Sequence, residues 1–202
     1  MPKMNHTKTL WEIADSQGGY FTAKQAIEAG FADNTHPYHV RVGNWLRGCR
    51  GVYRLAKYPQ GDNGQLILWY LWSRNRADQP QGVYSHLTAL RIHELSDAMP
   101  SRLDMIVPPN FRRSSPIPRI LTLHGALLDE SDIQGMPGFK VTTPFRTVLD
   151  IVEAGTVSRE IVGQAVREAR ERGLITLVES ATARKRKDIP RWANELFGKR
   201  LK

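Results

Sequence analysis

The segment Asn34-Thr35-His36-Pro37-Tyr38-His39-Val40-Arg41 gathers side chains able to read base edges. Asparagine and arginine make paired hydrogen bonds to adenine and guanine, and a threonine methyl can meet a thymine methyl. Asn34, Thr35, His36, Tyr38, His39 and Arg41 are therefore the candidate base-contacting residues, with Val40 and Val42 expected on the buried side. A polar face turned to water is the plain alternative. Just downstream, Arg47, Arg50 and Arg54 lie in or beside Gly48-Cys49-Arg50-Gly51, which has the composition of a turn between two short strands. A cationic turn suits a phosphate backbone or a minor groove. Arg50, at the turn itself, is the strongest candidate, while Arg54 has the alternative of pairing with a nearby acid. Thr22, Lys24 and Gln25, in the first turn of a preceding helix, complete the set as candidate phosphate contacts.

Other constellations are weaker. Arg112 and Arg113 share a loop with Ser114 and Ser115 and could hold an anion, or could simply be solvated. Arg184-Lys185-Arg186-Lys187 closes a helix, where cations favour the helix dipole without any ligand and could also hold phosphate. His86 and His93 are seven apart on one helix, hence on one face, but no cysteine or carboxylate cluster lies at ligand spacing, so no metal is expected. Asp129, Glu130 and Asp132 read as a polar connection rather than a metal cluster. No Walker-type glycine loop, no G-x-S-x-G and, after Asp104, no Asp-x-Lys or Glu-x-Lys is present. Cys49 has arginine beside it but no identifiable base. The expectation is a protein that is not an enzyme and carries no cofactor.

The elements that must position the first group follow from caps and periodicity. Leu10, Ile13 and Ala14 form one helical stripe, stopped by Gly18-Gly19. Tyr20-Phe21 is a short extended link. Thr22 caps the next helix, with Gln25 at the capping-box position, and Gly30 closes it. A third helix starts at Asp33, Asn34 or Thr35, places Pro37 in its first turn and ends at Gly43. Trp45–Arg47 and Val52–Leu55 make the hairpin. Three helices and a hairpin in this order are the layout of a winged helix-turn-helix.

Beyond a turn-rich linker, Tyr58 to Gly64, the apolar run Leu66 to Arg76 reads as helix in preference to strand. Ser85 caps a helix through Leu95. Strands are expected at 103–107, 120–123 and 139–141, and helices at 145–153, 158–172, 176–187 and 190–198. The fold class expected is α+β: a winged helix-turn-helix over residues 1–58, then a C-terminal α/β domain over 59–202 with a small sheet and several helices.

Composition agrees with a polyanionic partner. Of 202 residues, 29 are Lys or Arg and 20 are Asp or Glu, a net charge of +9. Residues 1–58 hold eight basic against four acidic side chains, and residues 156–202 hold 12 against 6, leaving the centre close to neutral. Such an excess favours nucleic acid or an anionic surface. The longest apolar run, from Leu66, is far short of the ~20 residues that span a bilayer. Met1 to Asp15 lacks the apolar core of a signal peptide. One cysteine excludes an internal disulfide. A cytoplasmic protein without membrane attachment is expected.

GGYFTAKQAIEAGF and GCRGVYRLAKYP, followed by VYSHLTALRIHELSDAMPSRLDMIVPP and VTTPFRTVLDI, resemble the AbiEi family of abortive-infection antitoxins across roughly residues 8–155. The resemblance implies a phage-defence protein of a type IV toxin–antitoxin system. Its N-terminal domain would bind inverted repeats in double-stranded operator DNA and repress its own operon. Its C-terminal domain would support cooperative binding and counter a nucleotidyltransferase-like toxin. By position, the recognition helix is Asn34 to Val42 and the wing Trp45 to Leu55; His36-Pro37 departs from the unbroken helix former usual there. A stand-alone repressor with a ligand- or protein-binding C-terminal domain is the alternative, and a nucleic-acid-processing enzyme a more distant one.

Overall fold

A computed structural model describes residues 5–98, 100–114 and 116–198. Lys3 and Ser115 therefore lie outside the described residues. The chain is α+β, with two sheets, and divides into two units: 1–82 with 135–140, and 83–134 with 141–202.

Unit one opens with α1 (His6–Asp15), capped by Asn5, whose side chain accepts from the Lys8 amide. Strand β1 (Tyr20–Thr22) leads into α2 (Ala23–Glu28) through the expected capping box: Thr22 accepts from Gln25 N, and Gln25 Oε1 accepts from Thr22 N at 2.8 Å. Gly30 follows at φ +101°, in the left-handed region that closes helices. Asp33–Thr35 form a single 3-10 turn before α3 (His36–Arg41). None of the three expected caps works through its side chain here: Thr35 Oγ1 donates to the Ala32 carbonyl at 2.6 Å instead. Pro37 sits in the first turn of α3, where no amide partner is required.

Strands β2 (Trp45–Cys49) and β3 (Val52–Leu55) form an antiparallel hairpin with a bulge between Arg47 and Cys49, and β1 joins its other edge in the order β1-β3-β2. Leu10, Ala14, Phe21, Ala26, Ala29 and Trp45 form the core. Helix α4 (Gly64–Trp72) belongs to this unit, so the expected division after residue 58 falls inside it. The reason is packing: a Cβ at Gly48 would lie 2.6 Å from Leu68 Cδ1, and one at Gly18 2.6 Å from Ile67 Cδ1. The helix fills space kept open by two glycines.

Unit two contains β4 (Val83–Tyr84), α5 (His86–Ile92), β5 (Leu103–Val107) and β6 (Leu121–Gly125). β7 (Ile133–Met136) and β8 (Phe139–Thr142), whose residues 135–140 belong to unit one, complete a five-stranded sheet ordered β6-β5-β4-β8-β7. β4 runs antiparallel to β5 and parallel to β8, and β5 runs parallel to β6. Four helices follow: α6 (Pro144–Ala154), α7 (Arg159–Glu171), α8 (Leu177–Lys185) and α9 (Arg191–Leu196). Thr143, Ser158 and Thr176 cap α6, α7 and α8 through their side chains. The core joins Val148, Ile151 and Val152 of α6 to Val162, Ala165, Val166 and Ala169 of α7. No helix among the described residues is long and apolar enough to cross a membrane.

Candidate nucleic-acid interface

Helix α3 is seated by aromatic packing around Trp45, which is 3% exposed. Phe21 and Phe31 meet the indole edge-on at 4.9 and 5.3 Å, His39 stacks on it at 4.5 Å, and His36 lies 5.2 Å away. His36 is therefore core, 1% exposed, with Nδ1 3.4 Å from an Asp33 carboxylate oxygen. This corrects its expected place among the base-reading residues: a side chain filling the space between Trp45 and Tyr53 is not available to a ligand. His39 is half-buried, and burial, followed by the repulsion of His36, moves its pKa down.

The outward stripe of this segment is Asn34, Pro37, Tyr38, Arg41 and Val42, all exposed. Val42, expected on the buried side, is 46% exposed, whereas Val40 packs against the core as expected. The Arg41 guanidinium lies 5.8 Å from the Tyr38 ring centre. Arg47 and Arg50 are exposed on the hairpin. Among the described residues, Arg41, Arg47 and Arg50 enter no ion pair. Three uncompensated guanidinium groups thus lie within ten residues, on one helix and the hairpin that follows it.

Several candidates are used internally instead. Thr22 is 1% exposed; its hydroxyl caps α2 and donates to Asp78 Oδ2, so it offers nothing to an external phosphate. The Gln25 amide closes the capping box and meets Gln17. Arg54 is half-buried and donates to the Tyr58 carbonyl, and among the described residues it enters no ion pair with the nearby acid considered for it. Lys24 is exposed, with Nζ 3.5 Å from the Ala77 carbonyl.

In unit two, Arg112 is exposed and Arg113 half-buried. Of the 184–187 run, Arg184, Lys185 and Lys187 are exposed, but Arg186 pairs with Asp188 and with Glu153, the latter at 3.1 Å. Its charge is neutralised within the fold.

The spacing of His86 and His93 put them together on one helix face. They part: His93 is buried, its Nε2 donating to the Thr142 carbonyl at 2.7 Å, whereas His86 turns to His124. The two rings stack with centres 3.8 Å apart, and His124 Nε2 donates to Asp104 at 3.0 Å. Ser85, expected to cap α5, has its hydroxyl 2.9 Å from His86 Nδ1 and makes no side-chain cap bond. His86 has φ +50°, and its pKa is pushed down to about 4, first by burial and then by His124. Nearby Arg146 binds Asp150 at 2.7 Å and Asp132 at 3.5 Å. Asp150 is 3% exposed, and burial lifts its pKa to about 6 against the opposing pull of Arg146. The sequence held no signal for this cluster, because its members come from β5, β6, α5, α6 and the 3-10 turn at Glu130–Asp132. Among the described residues no group of three or more potential ligands is arranged for a metal ion.

No known family model matches the chain, and no curated protein matches it. Among solved structures it is similar to the crystal structure of the RV2827C protein from Mycobacterium tuberculosis, at 11% identity and a TM-score of 0.54. The match covers 96% of this chain and 78% of that one. At that identity the likeness is one of fold alone.

Proposed function

We propose that this chain is a DNA-binding transcriptional autoregulator, with α1, α2, α3 and the β2–β3 hairpin acting as a winged helix-turn-helix. The observation that carries the reading is the set Arg41, Arg47 and Arg50: exposed and outside any ion pair among the described residues, on the helix and hairpin such a domain brings to duplex DNA. Asn34 and Arg41, on the outward stripe, are the residues for base edges, and Arg47 and Arg50 are the residues for phosphate. Exposed cations facing a polyanion gain affinity by releasing condensed counterions.

The antitoxin half of the proposal rests on the resemblance to AbiEi proteins. In that reading the protein works in the cytoplasm, represses its own operon through inverted repeats and counters a nucleotidyltransferase-like toxin.

Footprinting on the DNA upstream of its own gene tests the regulatory half, with protection of paired half-sites expected. In gel shifts on the protected fragment, Arg41→Ala and Arg50→Ala should each weaken binding, and Arg50→Ala should also flatten the salt dependence by about 0.9 per lost phosphate contact. Wild-type affinity in both variants would remove this domain from the mechanism. Co-expression with the neighbouring gene product tests the antitoxin half: relief of toxicity supports it, and a harmless neighbour overturns it.

A further inference from the structure

The hairpin turn that carries Arg50 is held from beneath by a residue far along the chain. Arg74, just past the end of α4, directs its whole guanidinium at fixed acceptors. Nη2 donates to the Gly51 carbonyl at 3.0 Å and to the Arg50 carbonyl at 3.3 Å, and Nη1 donates to the Leu71 carbonyl at 2.9 Å. Nε meets Asp78 Oδ1 at 2.9 Å, in an ion pair whose two side chains are each 13% exposed. The other Asp78 oxygen accepts from Thr22, the cap of α2. The Gly51 carbonyl also accepts from Ala23 N at 3.0 Å. One carboxylate and one guanidinium thereby tie the start of α2 to the tip of the hairpin.

The loop that supplies Asp78 is itself built for this. Asn75 Oδ1 accepts from the amides of Ala77 and Gln79, at 2.9 and 3.0 Å. Asp78 takes φ +66°, a conformation that costs most residues but that aspartate tolerates. Gly51, at φ +71°, leaves no room for a side chain: a Cβ there would lie 2.5 Å from Arg74 Nη2. A buried ion pair is a poor source of stability, since desolvation offsets most of the attraction. Geometry is what it supplies. A planar guanidinium whose Nη1 and Nε are held by Leu71 and Asp78 aims Nη2 at two consecutive turn carbonyls and so fixes the orientation of that turn, an arrangement of three rigidly spaced nitrogens that a lysine ammonium cannot reproduce.

We infer that Arg74 is a positioning residue for the cationic hairpin: it sets the direction in which Arg50 leaves the turn, and Asp78 sets Arg74. The inference rests on the DNA-binding reading above and adds a residue, outside both helix and hairpin, on which phosphate contact depends.

The test uses the full chain and a short duplex of mixed sequence, with affinity measured across a salt series, for wild type, Arg50→Ala, Arg74→Lys, Asp78→Asn and the Arg50→Ala/Arg74→Lys pair. Arg74→Lys keeps the charge but loses the fork. It should lower affinity several-fold and flatten the slope of log K against log salt by about one, as Arg50→Ala does. The double variant should fall no further than Arg50→Ala alone, because both changes remove one contact. Asp78→Asn should behave like Arg74→Lys, and thermal unfolding of each variant identifies loss that is merely structural. A slope unchanged in Arg74→Lys and Asp78→Asn while Arg50→Ala flattens it overturns this inference alone, as does an additive double variant or affinity lost only in step with melting temperature. An Arg50→Ala slope equal to wild type overturns it too. Absence of salt-dependent binding by the wild-type protein overturns the DNA-binding reading itself, and this inference with it.

Discussion

His86 and His124 face each other at 3.8 Å with their planes 16° from parallel, and it is His124 that holds the carboxylate of Asp104. Burial first, and then the neighbouring His124 ring, disfavour a proton on His86 and push its pKa down to about 4. Asp150 is displaced the opposite way, to about 6.

These two displacements oppose each other in the pH dependence of stability. Between pH 4 and 6.5 the unfolded chain protonates His86 and the folded chain does not, so His86 makes stability fall as pH drops. Between pH 3.8 and 6 the folded chain protonates Asp150 and the unfolded chain does not, so Asp150 makes stability fall as pH rises. Relative to wild type, His86→Asn should therefore gain stability as pH is lowered from 6.5 to 4. Asp150→Asn should lose it over the same range. Urea midpoints taken across that range check both, and parallel profiles for all three proteins would refute the assignment. Asparagine is chosen at 86 because it accepts the positive φ.

Core and interface roles separate at neighbouring positions. His36→Ala should cost about 3 kcal/mol of stability, the scale for deleting a large buried ring. Asn34→Ala, at an exposed site, should leave the melting temperature within experimental scatter while weakening binding to the footprinted fragment by about 1–3 kcal/mol if Asn34 reads a base. Thermal denaturation and gel shift on the two variants distinguish the roles. A stable His36→Ala protein with reduced affinity would return His36 to the interface.

The glycines that follow α2 and α3 should differ in their tolerance of alanine. Gly43 has φ +76°, and a Cβ added there would meet nothing within 4 Å, so Gly43→Ala should cost only the left-handed backbone penalty, about 1 kcal/mol. At Gly30, φ is +101° and a Cβ would lie 1.8 Å from His6 Nδ1, an atom 2.9 Å from the Ala29 carbonyl. Gly30→Ala should therefore cost more, by the loss of that hydrogen bond and displacement of the ring. Chemical denaturation of the pair gives the order, and equal losses would show that the His6 ring moves aside freely.

Most local structure is legible because it is set by nearby residues. Thr22 with Gln25, the pair Thr142-Thr143 before Pro144, and Ser158 announce helix starts by short-range hydrogen bonds, and Thr22, Thr143 and Ser158 act as caps. The first turn of α3 is harder, because Asp33, Asn34 and Thr35 could each cap and none does so by its side chain. β4, only two residues long, and β7, interrupted by Gly135, carry too little alternation to be seen. Within the candidate interface, residue type alone points to Arg41, Arg47 and Arg50, but it cannot separate His36 from His39 or Val40 from Val42. That sorting depends on which side of α3 meets Trp45, a residue from the next element. Arg74 is silent in the sequence for the same reason: its partners at Arg50 and Gly51 are more than twenty positions away.

The rings gathered about Trp45 come from α3, from β3 and from the segments around α2, so the helix has no freedom to tilt without disturbing the strands behind it. In the proposed DNA-binding reading, any retuning of sequence preference falls on the outward side chains. Exchanging Asn34, Arg41 or Val42 leaves this aromatic keel in place, Tyr38 touches it only through the edge of His39, and a change at His36, His39 or Trp45 alters the packing behind all of them.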